Sequence, residues 1–429
     1  MKHWFSDVPA FRRDPLGFLL ARGDAATEGL EPLALGPKPM LLVTDPDLVK
    51  PLLKADEGTV NKGRLMQKLR PVLGNSTLLM NGAEGRRRRS VLHGQLARGN
   101  AEKFVPQIAA EIRVMGAQLA RLGSFNPREF TAPLALRVVC LTVFGKQVMS
   151  AADERALVAA VNSIEDEVAD GMVRMLPPMP WTWYAQRRRL GFAKLAMAFL
   201  VDKLRGQAVE SSALKALEAL DISDEDLQHE ILTLLLAGHH TTGSAAAWLL
   251  YHLAAEPGLM EEIAAEANAI TDVNGEITAE GLKRADKSLA LVREVLRLYP
   301  STWWFTREVR KPMTLGQYQL KPGSTLIICP WQLHRSERFW KDPHRFDMNR
   351  NYTNRAYVPF GAGPRACVGM GLGMLELQLL ALEMAAAYQF GQVTPSPAPW
   401  PTPLVTLIPP DMSVEVRLRQ MRDTRRTAA

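Results

Sequence analysis

The chain has 429 residues, 47% of them hydrophobic, enough to bury one large core or two fused ones with room for an internal cavity. A formal net charge of +7, from 52 lysines and arginines against 45 acids, is too mild to mark a nucleic-acid binder. Its three cysteines, Cys140, Cys329 and Cys367, form no C-x-x-C pair, which excludes a disulfide framework and a cysteine-rich zinc site.

Taken in chain order, the N-terminal "MKHWFSDVPAFRRDPLGFLL" is interrupted by Lys2, Asp7, Arg12, Arg13 and Asp14 before an apolar run reaches membrane-spanning length. The expectation is a cytoplasmic protein with no membrane anchor. "LALGPKPMLLVTD" (33–45) predicts two short strands about a Gly36-Pro37 turn. From about 84 to 299 apolar residues recur at three- and four-residue spacing, as in "FVPQIAAEIRVMGAQLARL", "FTAPLALRVVCLTVFG" and "FAKLAMAFLVDKLRG", and predict helices. The Pro-rich "RMLPPMPWTWY" (174–184) breaks this body, and Arg187 to Arg189 read as a solvated helix face. A second basic run, Arg86 to Arg89, opens the helical region. Beyond it, "MTLGQYQLKPGSTLIICP" (313–330) predicts strands punctuated by Gly316 and Pro322-Gly323. An apolar helix starts near Val368, "VTLIPPDMSVEVRL" adds a last strand pair, and "RLRQMRDTRRTAA" reads as a frayed tail.

One predicted helix is exceptional in length. "SDEDLQHEILTLLLAGHHTTGSAAAWLLYHLAAEP" opens on an acidic cap at Ser223 to Asp226 and is unbroken until Pro257. At 1.5 Å per residue it spans roughly 50 Å. Two glycines, two histidines and two threonines interrupt its apolar middle. They fit either a tight helix crossing at Gly238 and Gly243, with the threonines bonded back to the backbone, or a groove where something bulky and flat approaches. In "REVLRLYP" (293–300), Glu294 and Arg297 share a helix face between apolar flanks. A buried pair there needs further partners, and Arg345 is the candidate third member.

Cys140 and Cys329 sit in apolar "RVVCLTV" and "LIICPW" and read as small core hydrophobes. Cys367 differs. In "FGAGPRACVG" (360–369) the glycines permit unusual backbone and close approach, and the following helix presents free amides and its positive end to the sulfur. That environment favours a thiolate, hence a nucleophile or a metal ligand, and no adjacent histidine serves as a base.

This stretch resembles the haem-binding loop of the cytochrome P-450 superfamily, F-x-x-G-x-R-x-C-x-G, matched at Phe360, Gly363, Arg365, Cys367 and Gly369. Glu294-x-x-Arg297, Arg345 as the third ion-network residue and "AGHHTT" (237–242) resemble further family motifs, in order, and the likeness spans essentially the whole chain. The resemblance implies a mainly α fold with a smaller β-rich portion. One catalytic domain over 1–429 would have β structure at roughly 30–60, 303–335 and the C-terminus, and helices at roughly 84–299 and 368–390. The helical body would be prism-like, with haem between the long distal helix and the cysteine loop. Cys367 would be the axial iron ligand, Phe360, Gly361 and Gly369 would shape its loop, and Arg365, Arg307 and, less directly, Arg89 would hold the propionates. The position four residues before Arg89, aromatic or histidine in the family, is Gly85 here.

On the distal side, Ala237 and Gly238 would make room for dioxygen and Thr241 would donate during its activation. His240 stands where the family usually has an acid; histidine titrates near neutrality and can relay protons. Thr302, Trp303, Trp304, Val405, Thr406 and the stretch from Met66 to Leu79 would line a pocket for an apolar small molecule, together with the helices flanking "LPPMPWTWY"; Trp303 and Trp304 read equally as core residues with one indole turned inward. The implied activity is haem-thiolate monooxygenation, hydroxylation or oxidative dealkylation. Haem b would be the cofactor, with NAD(P)H electrons arriving through a ferredoxin or flavodoxin and its reductase at a proximal face near Arg86 to Arg89. A peroxygenase or isomerase on the same scaffold and a non-catalytic haem sensor are the alternatives.

Overall fold

The computed structural model describes residues 4–420 apart from 147–149, 151, 161–162, most of 165–200, 211 and 398–399. Nearly all of the Pro-rich break, part of "FAKLAMAFLVDKLRG", most of the run Arg187 to Arg189 and all of the tail after 420 therefore lie outside the described residues.

The N-terminal hairpin forms as its sequence predicts, with β1 (Leu30–Leu33) antiparallel to β2 (Met40–Val43). The other strands of this part are β3 (Val60–Asn61), β5 (Phe305–Val309), β6 (Met313–Leu315), β7 (Tyr318–Leu320) and β8 (Thr325–Ile328). A five-stranded sheet runs in the order β1-β2-β8-β5-β3, with β2 parallel to β8, so residues nearly three hundred positions apart pair directly. The C-terminal segment departs from its expected pairing. β11 (Leu407–Ile408) pairs with β10 (Thr402–Pro403), whereas β12 (Ser413–Leu418) lies between β4 (Ser124–Phe125) and β9 (Tyr388–Thr394). Pro409 and Pro410 between them cannot donate ladder hydrogen bonds, so the two strands join separate sheets.

The helices that position the site are α1 (Pro46–Lys54), α2 (Gly82–Leu96), α3 (Val105–Leu122), α4 (Pro127–Phe144), α5 (Asp224–Ala255), α6 (Leu259–Ile270), α7 (Asp286–Leu298) and α8 (Met370–Ala387). Local chemistry sets their ends. Ser223 caps α5 by accepting from the Asp226 amide at 3.1 Å, and Asp224, Glu225 and Asp226 complement the dipole of its first turn. Asn126 caps α4, and Gly123 and Gly145, both left-handed, end α3 and α4. α4 crosses α5 closely at two glycines. A Cβ on Gly238 would fall 2.2 Å from Val139 Cγ2, and one on Gly243 would fall 3.2 Å from Ala132 Cα. Of the two readings open for the helix centre, the tight crossing is therefore the one these glycines serve. Among the described residues one helix, α8, is long and apolar enough to cross a membrane, and most of it is buried in the protein.

A knot of charge ties α7 to the segment that leads into the cysteine loop. Glu294 and Arg297 are fully buried, and Arg297 donates to both Glu294 oxygens at 2.7 and 2.8 Å. Its remaining donors reach the carbonyls of His334, Pro343 and Arg345, so all five guanidinium N–H groups are used. Glu294 also accepts from the Asp347 amide, Tyr352 Oη and Arg350 Nε, the last at 3.1 Å. The expected third member is thus corrected: Arg345 contributes its carbonyl while its side chain is exposed, and Arg350 supplies the second guanidinium. The turn after Phe346 carries the chain back over α7 and aims residue 350, not 345, inward.

Removing one partner strands a buried charge, so Glu294→Gln or Arg297→Ala should lower unfolding free energy by about 3–5 kcal/mol in denaturant titrations. Arg345→Ala should stay within about 0.5 kcal/mol of the parent. Equal losses at 345 and 350 would contradict the assignment.

Candidate active site

The cysteine loop is built by backbone constraints. Gly361 and Gly363 have φ of +66° and +70°, and a Cβ on Gly363 would sit 2.8 Å from the Leu53 carbonyl oxygen. Gly369 has an ordinary φ of −87°, so conformation does not demand glycine there. The nearest atom to a Cβ at 369 would be Cys367 Sγ at 3.9 Å, so this glycine clears space beside the sulfur. The Cys367 amide donates to the Phe360 carbonyl at 2.9 Å, closing the loop, while the Phe360 ring packs on the helical core.

Burial pushes the Cys367 thiol up, opposed by the amides of Gly369 and Met370 at the start of α8 and by the Arg89 charge. The residue nevertheless retains accessible surface. The start of α8 lies behind the sulfur, ready to stabilise a thiolate once a metal takes the proton's place. Cys140 and Cys329 are fully buried, and burial raises their thiols too, in keeping with inert core positions.

Beside the loop lies a cluster of cations with little negative charge to balance it. Arg365 pairs with Glu57 at 3.2 Å and donates to Asn81 and to the Val60 carbonyl. Arg89 reaches the Ala366 carbonyl. Arg307, on β5, is buried; its Nη1 donates to Thr306 O at 2.8 Å and its Nε has no acceptor among the described residues. Its pKa is pushed down to about 10, by burial first and then by Arg365 and Arg89.

Lys62 is a member the sequence reading missed. Its ammonium donates to the Thr77 and Met80 carbonyls, both at 2.7 Å, and burial followed by Arg365, Arg89 and Arg307 drives its pKa down to about 7. Nothing in "VNKG" marks this lysine; only the folded chain brings it to the arginines. Among the described residues Glu57 is the one carboxylate ion-paired to any of these four cations, through Arg365, and Arg307 has an unpaired buried N–H. That is the environment a flat guest with two carboxylates requires. The donors present fit haem: an accessible sulfur at a helix start for its iron and these cations for its propionates.

On the opposite side, α5 exposes Ala237 within an otherwise covered stretch. Gly238, expected to make room for dioxygen, is corrected to a packing residue, because its missing Cβ points at Val139 on α4. Thr241 Oγ1 donates to the Ala237 carbonyl at 2.6 Å, and Ser301 Oγ grips the Thr241 carbonyl at 2.7 Å. This back-bonding loosens the helix at the point where Ala237 is bared. His239 is buried beside His240, ring centroids 4.4 Å apart, and burial and that neighbour push its pKa down to about 3. It is a neutral imidazole at ordinary pH.

The pocket residues divide. Thr302 is exposed and Val405 half-buried, but Trp303 and Thr406 are buried in the core. Trp303 Nε1 donates to the Leu404 carbonyl at 2.9 Å, and both tryptophans join the cluster with Phe11, Trp304 packing edge-on against that ring. The reading of Trp303 as pocket lining is therefore corrected: the indole fastens the N-terminal helices to the C-terminal segment. The run Arg86 to Arg89 is likewise not one basic face. Helical period turns Arg86 and Arg87 outward, paired with Glu57 and Glu84. Arg88 turns into a buried carboxylate cluster and Arg89 toward the cysteine loop.

A thiol at a helix start, cations awaiting two carboxylates and a helix bared at Ala237 together define a haem-thiolate oxygenase. The family model for Cytochrome P450 matches residues 31–416, and the chain belongs to that family. It is 27% identical over 427 residues to Cyclooctatin synthase of Streptomyces melanosporofaciens, covering 92% of this chain and 89% of that one. Protein LUTEIN DEFICIENT 5, chloroplastic, of Arabidopsis thaliana is 28% identical over 80% of this chain and 64% of its own length. Cytochrome P450 4V2 of Homo sapiens is 26% identical over 80% and 73% respectively. The protein is a haem-thiolate monooxygenase in this general sense.

Two measurements check the geometry. Two carboxylates beside Lys62 should raise its pKa from about 7 toward the ordinary value, so at pH 8.5 haem binding should add a proton to it. Calorimetry in buffers of different ionisation enthalpy should find that Lys62→Met shifts the net proton count on haem binding by about one toward release. Gly238→Ala should cost about 1–3 kcal/mol by overpacking against Val139, and Val139→Ala should restore part of the loss.

Proposed function

We propose that the protein uses externally supplied electrons to insert one oxygen atom into an apolar small molecule, by hydroxylation or oxidative dealkylation. The observation that carries this reading is the pairing of an accessible Cys367, set at the start of α8, with the under-balanced cations Lys62, Arg89, Arg307 and Arg365. Haem b is the cofactor proposed, and 1–429 is read as one catalytic unit.

Bound there, haem would supply reductive activation of dioxygen, with the strong donation of the thiolate favouring O–O cleavage. This chain's residues do the rest. The Gly369 and Met370 amides temper the charge on Cys367, and the four cations orient the cofactor by its carboxylates. Ala237 leaves room on the distal side, and Thr241 is the hydroxyl that can leave the Ala237 carbonyl and donate into the pocket. His240 takes the relay position. With His239 held neutral by burial, proton transfer toward Thr241 is assigned to His240.

Electrons are proposed to come from NAD(P)H through a ferredoxin or flavodoxin-type carrier and its reductase, docking where Arg86 and Arg87 are exposed on α2. A cytoplasmic location is proposed, in keeping with the interruption of the N-terminal segment by charges and the burial of most of α8.

The ferrous carbonyl adduct of the purified protein should show the strongly red-shifted Soret band of thiolate ligation, and Cys367→Ser should abolish it. An unchanged band would end the haem-thiolate reading. His240→Glu should raise product formed per NADH consumed at neutral pH if relay limits coupling; unchanged coupling would remove His240 from the path and turn attention to peroxide-supported turnover.

A further inference from the structure

α8 presents amides to the sulfur at its first turn and carries an acid near its last. Glu383 lies roughly 20 Å along the helix from Met370, at 1.5 Å per residue. It is 6% exposed, in the seam where α8 packs against α3 and runs on into β9.

One guanidinium nitrogen serves two acids there. Arg113 Nη1, from α3, stands 2.7 Å from Glu276 Oε2 and 3.2 Å from Glu383 Oε1. Glu276 is exposed and fixed in the turn after α6, where Asp272 Oδ1 accepts from the amides of Asn274 and Glu276, both at 2.9 Å. The contact to Glu383 is the longer of the two, and it is the one hydrogen bond that side chain receives among the described residues. A buried carboxylate with about four acceptor sites and a single long bond is poorly compensated for leaving water.

The other charged and titratable groups around the seam are committed elsewhere. On β9, the Tyr388 ring fills the space left by Gly116 of α3, and burial followed by Glu383 pushes its phenol up. On α3, Glu111 pairs with Arg137. On α6, Glu262 pairs with Lys287, Glu266 accepts from the Lys287 and Ser288 amides, and Glu261 pairs with Arg419, which also donates to the Ala385 carbonyl. On α8 itself Glu376, roughly 10 Å back along the same face, is raised well above the ordinary carboxylate value by burial. Burial, opposed by Arg113 and reinforced by Glu276, likewise raises Glu383, from near 4.5 to about 7.

We propose that Glu383, Arg113 and Glu276 form a proton-operated clamp at the end of α8 remote from the cysteine. Ionised, Glu383 draws the guanidinium inward and ties α3 to α8. Protonated by solvent past the accessible Arg113 and Glu276, it stays seated in the apolar seam and yields Arg113 to Glu276. The folded chain takes up this proton more readily than the unfolded one, so the clamp's contribution to stability is fully present below about 4.5 and is lost as pH rises through about 7.

The test uses the haem-loaded protein. Urea unfolding is followed between pH 5 and 8, and the Glu383 carboxyl by its isotope-edited infrared band, identified by its loss in Glu383→Gln or, if that variant does not fold, by its displacement in Glu383→Asp. Over this range the parent's unfolding constant should rise roughly 50- to 100-fold more than that of Glu383→Gln. Glu276→Gln, an exposed change, should lower the Glu383 midpoint as Arg113 moves wholly to it, whereas Arg113→Met should raise it. A band that titrates at the ordinary carboxylate value, or midpoints that move the same way in both variants, would overturn the clamp.

Discussion

The carboxylate of Glu294 accepts hydrogen bonds from five groups contributed by two parts of the chain more than fifty residues apart. One part is α7; the other is the irregular segment through residues 334–352, which has no regular ladder of its own to hold it. An irregular segment can be buried only if its carbonyls and amides find partners, and Arg297 sends three of its five donors across the joint to the carbonyls of His334, Pro343 and Arg345. His334 extends the same joint toward the cysteine loop: its Nδ1 meets the Arg297 carbonyl and its Nε2 accepts from the Val358 amide, two residues before Phe360. The position of the sulfur is thus inherited from a charge pair on a helix.

The second organising constraint is an imbalance. Proteins seldom bury cations without acids, yet Lys62, Arg89, Arg307 and Arg365 converge with Glu57 as their one carboxylate, and burial already drags Lys62 and Arg307 below their ordinary pKa values. An arrangement that costs free energy when empty returns it when a dianionic guest enters, so cofactor binding and folding of this corner are thermodynamically coupled. The elements concerned are β3, α2, β5 and the cysteine loop, which come from four distant parts of the sequence.

The legible parts of the sequence were those whose chemistry is local. Ser223 with its acidic first turn, the Gly-Pro hairpin, Glu294 three residues before Arg297 and the glycine-framed Cys367 each carry their reason within a dozen residues. What escaped depended on where loops go. Arg345 and Arg350 are equally plausible on paper, and only the turn after Phe346 decides which guanidinium enters. Trp303 reads as pocket or core until its indole N–H is seen to meet Leu404. Four consecutive arginines look like one surface patch, but a helix distributes them at 100° intervals, and Arg88 and Arg89 end in different buried sites. Gly238 shows the converse: the sequence permitted both a crossing and a distal cavity, and the direction of one absent Cβ chose between them.

The distal helix combines these themes. A family member of this kind normally concentrates its polar chemistry at the acid and threonine above the iron, whereas here His240 replaces the acid and a carboxylate, Glu230, lies nearly three turns earlier on the same face as Thr241. His239, kept neutral by burial, adds no second charge at the relay position. Glu230 is held by Thr77 and only distantly by Arg88, and burial raises its pKa. The polar residues of α5 thus fall at two levels, Glu230 toward its N-terminal turns and His240 with Thr241 at its centre.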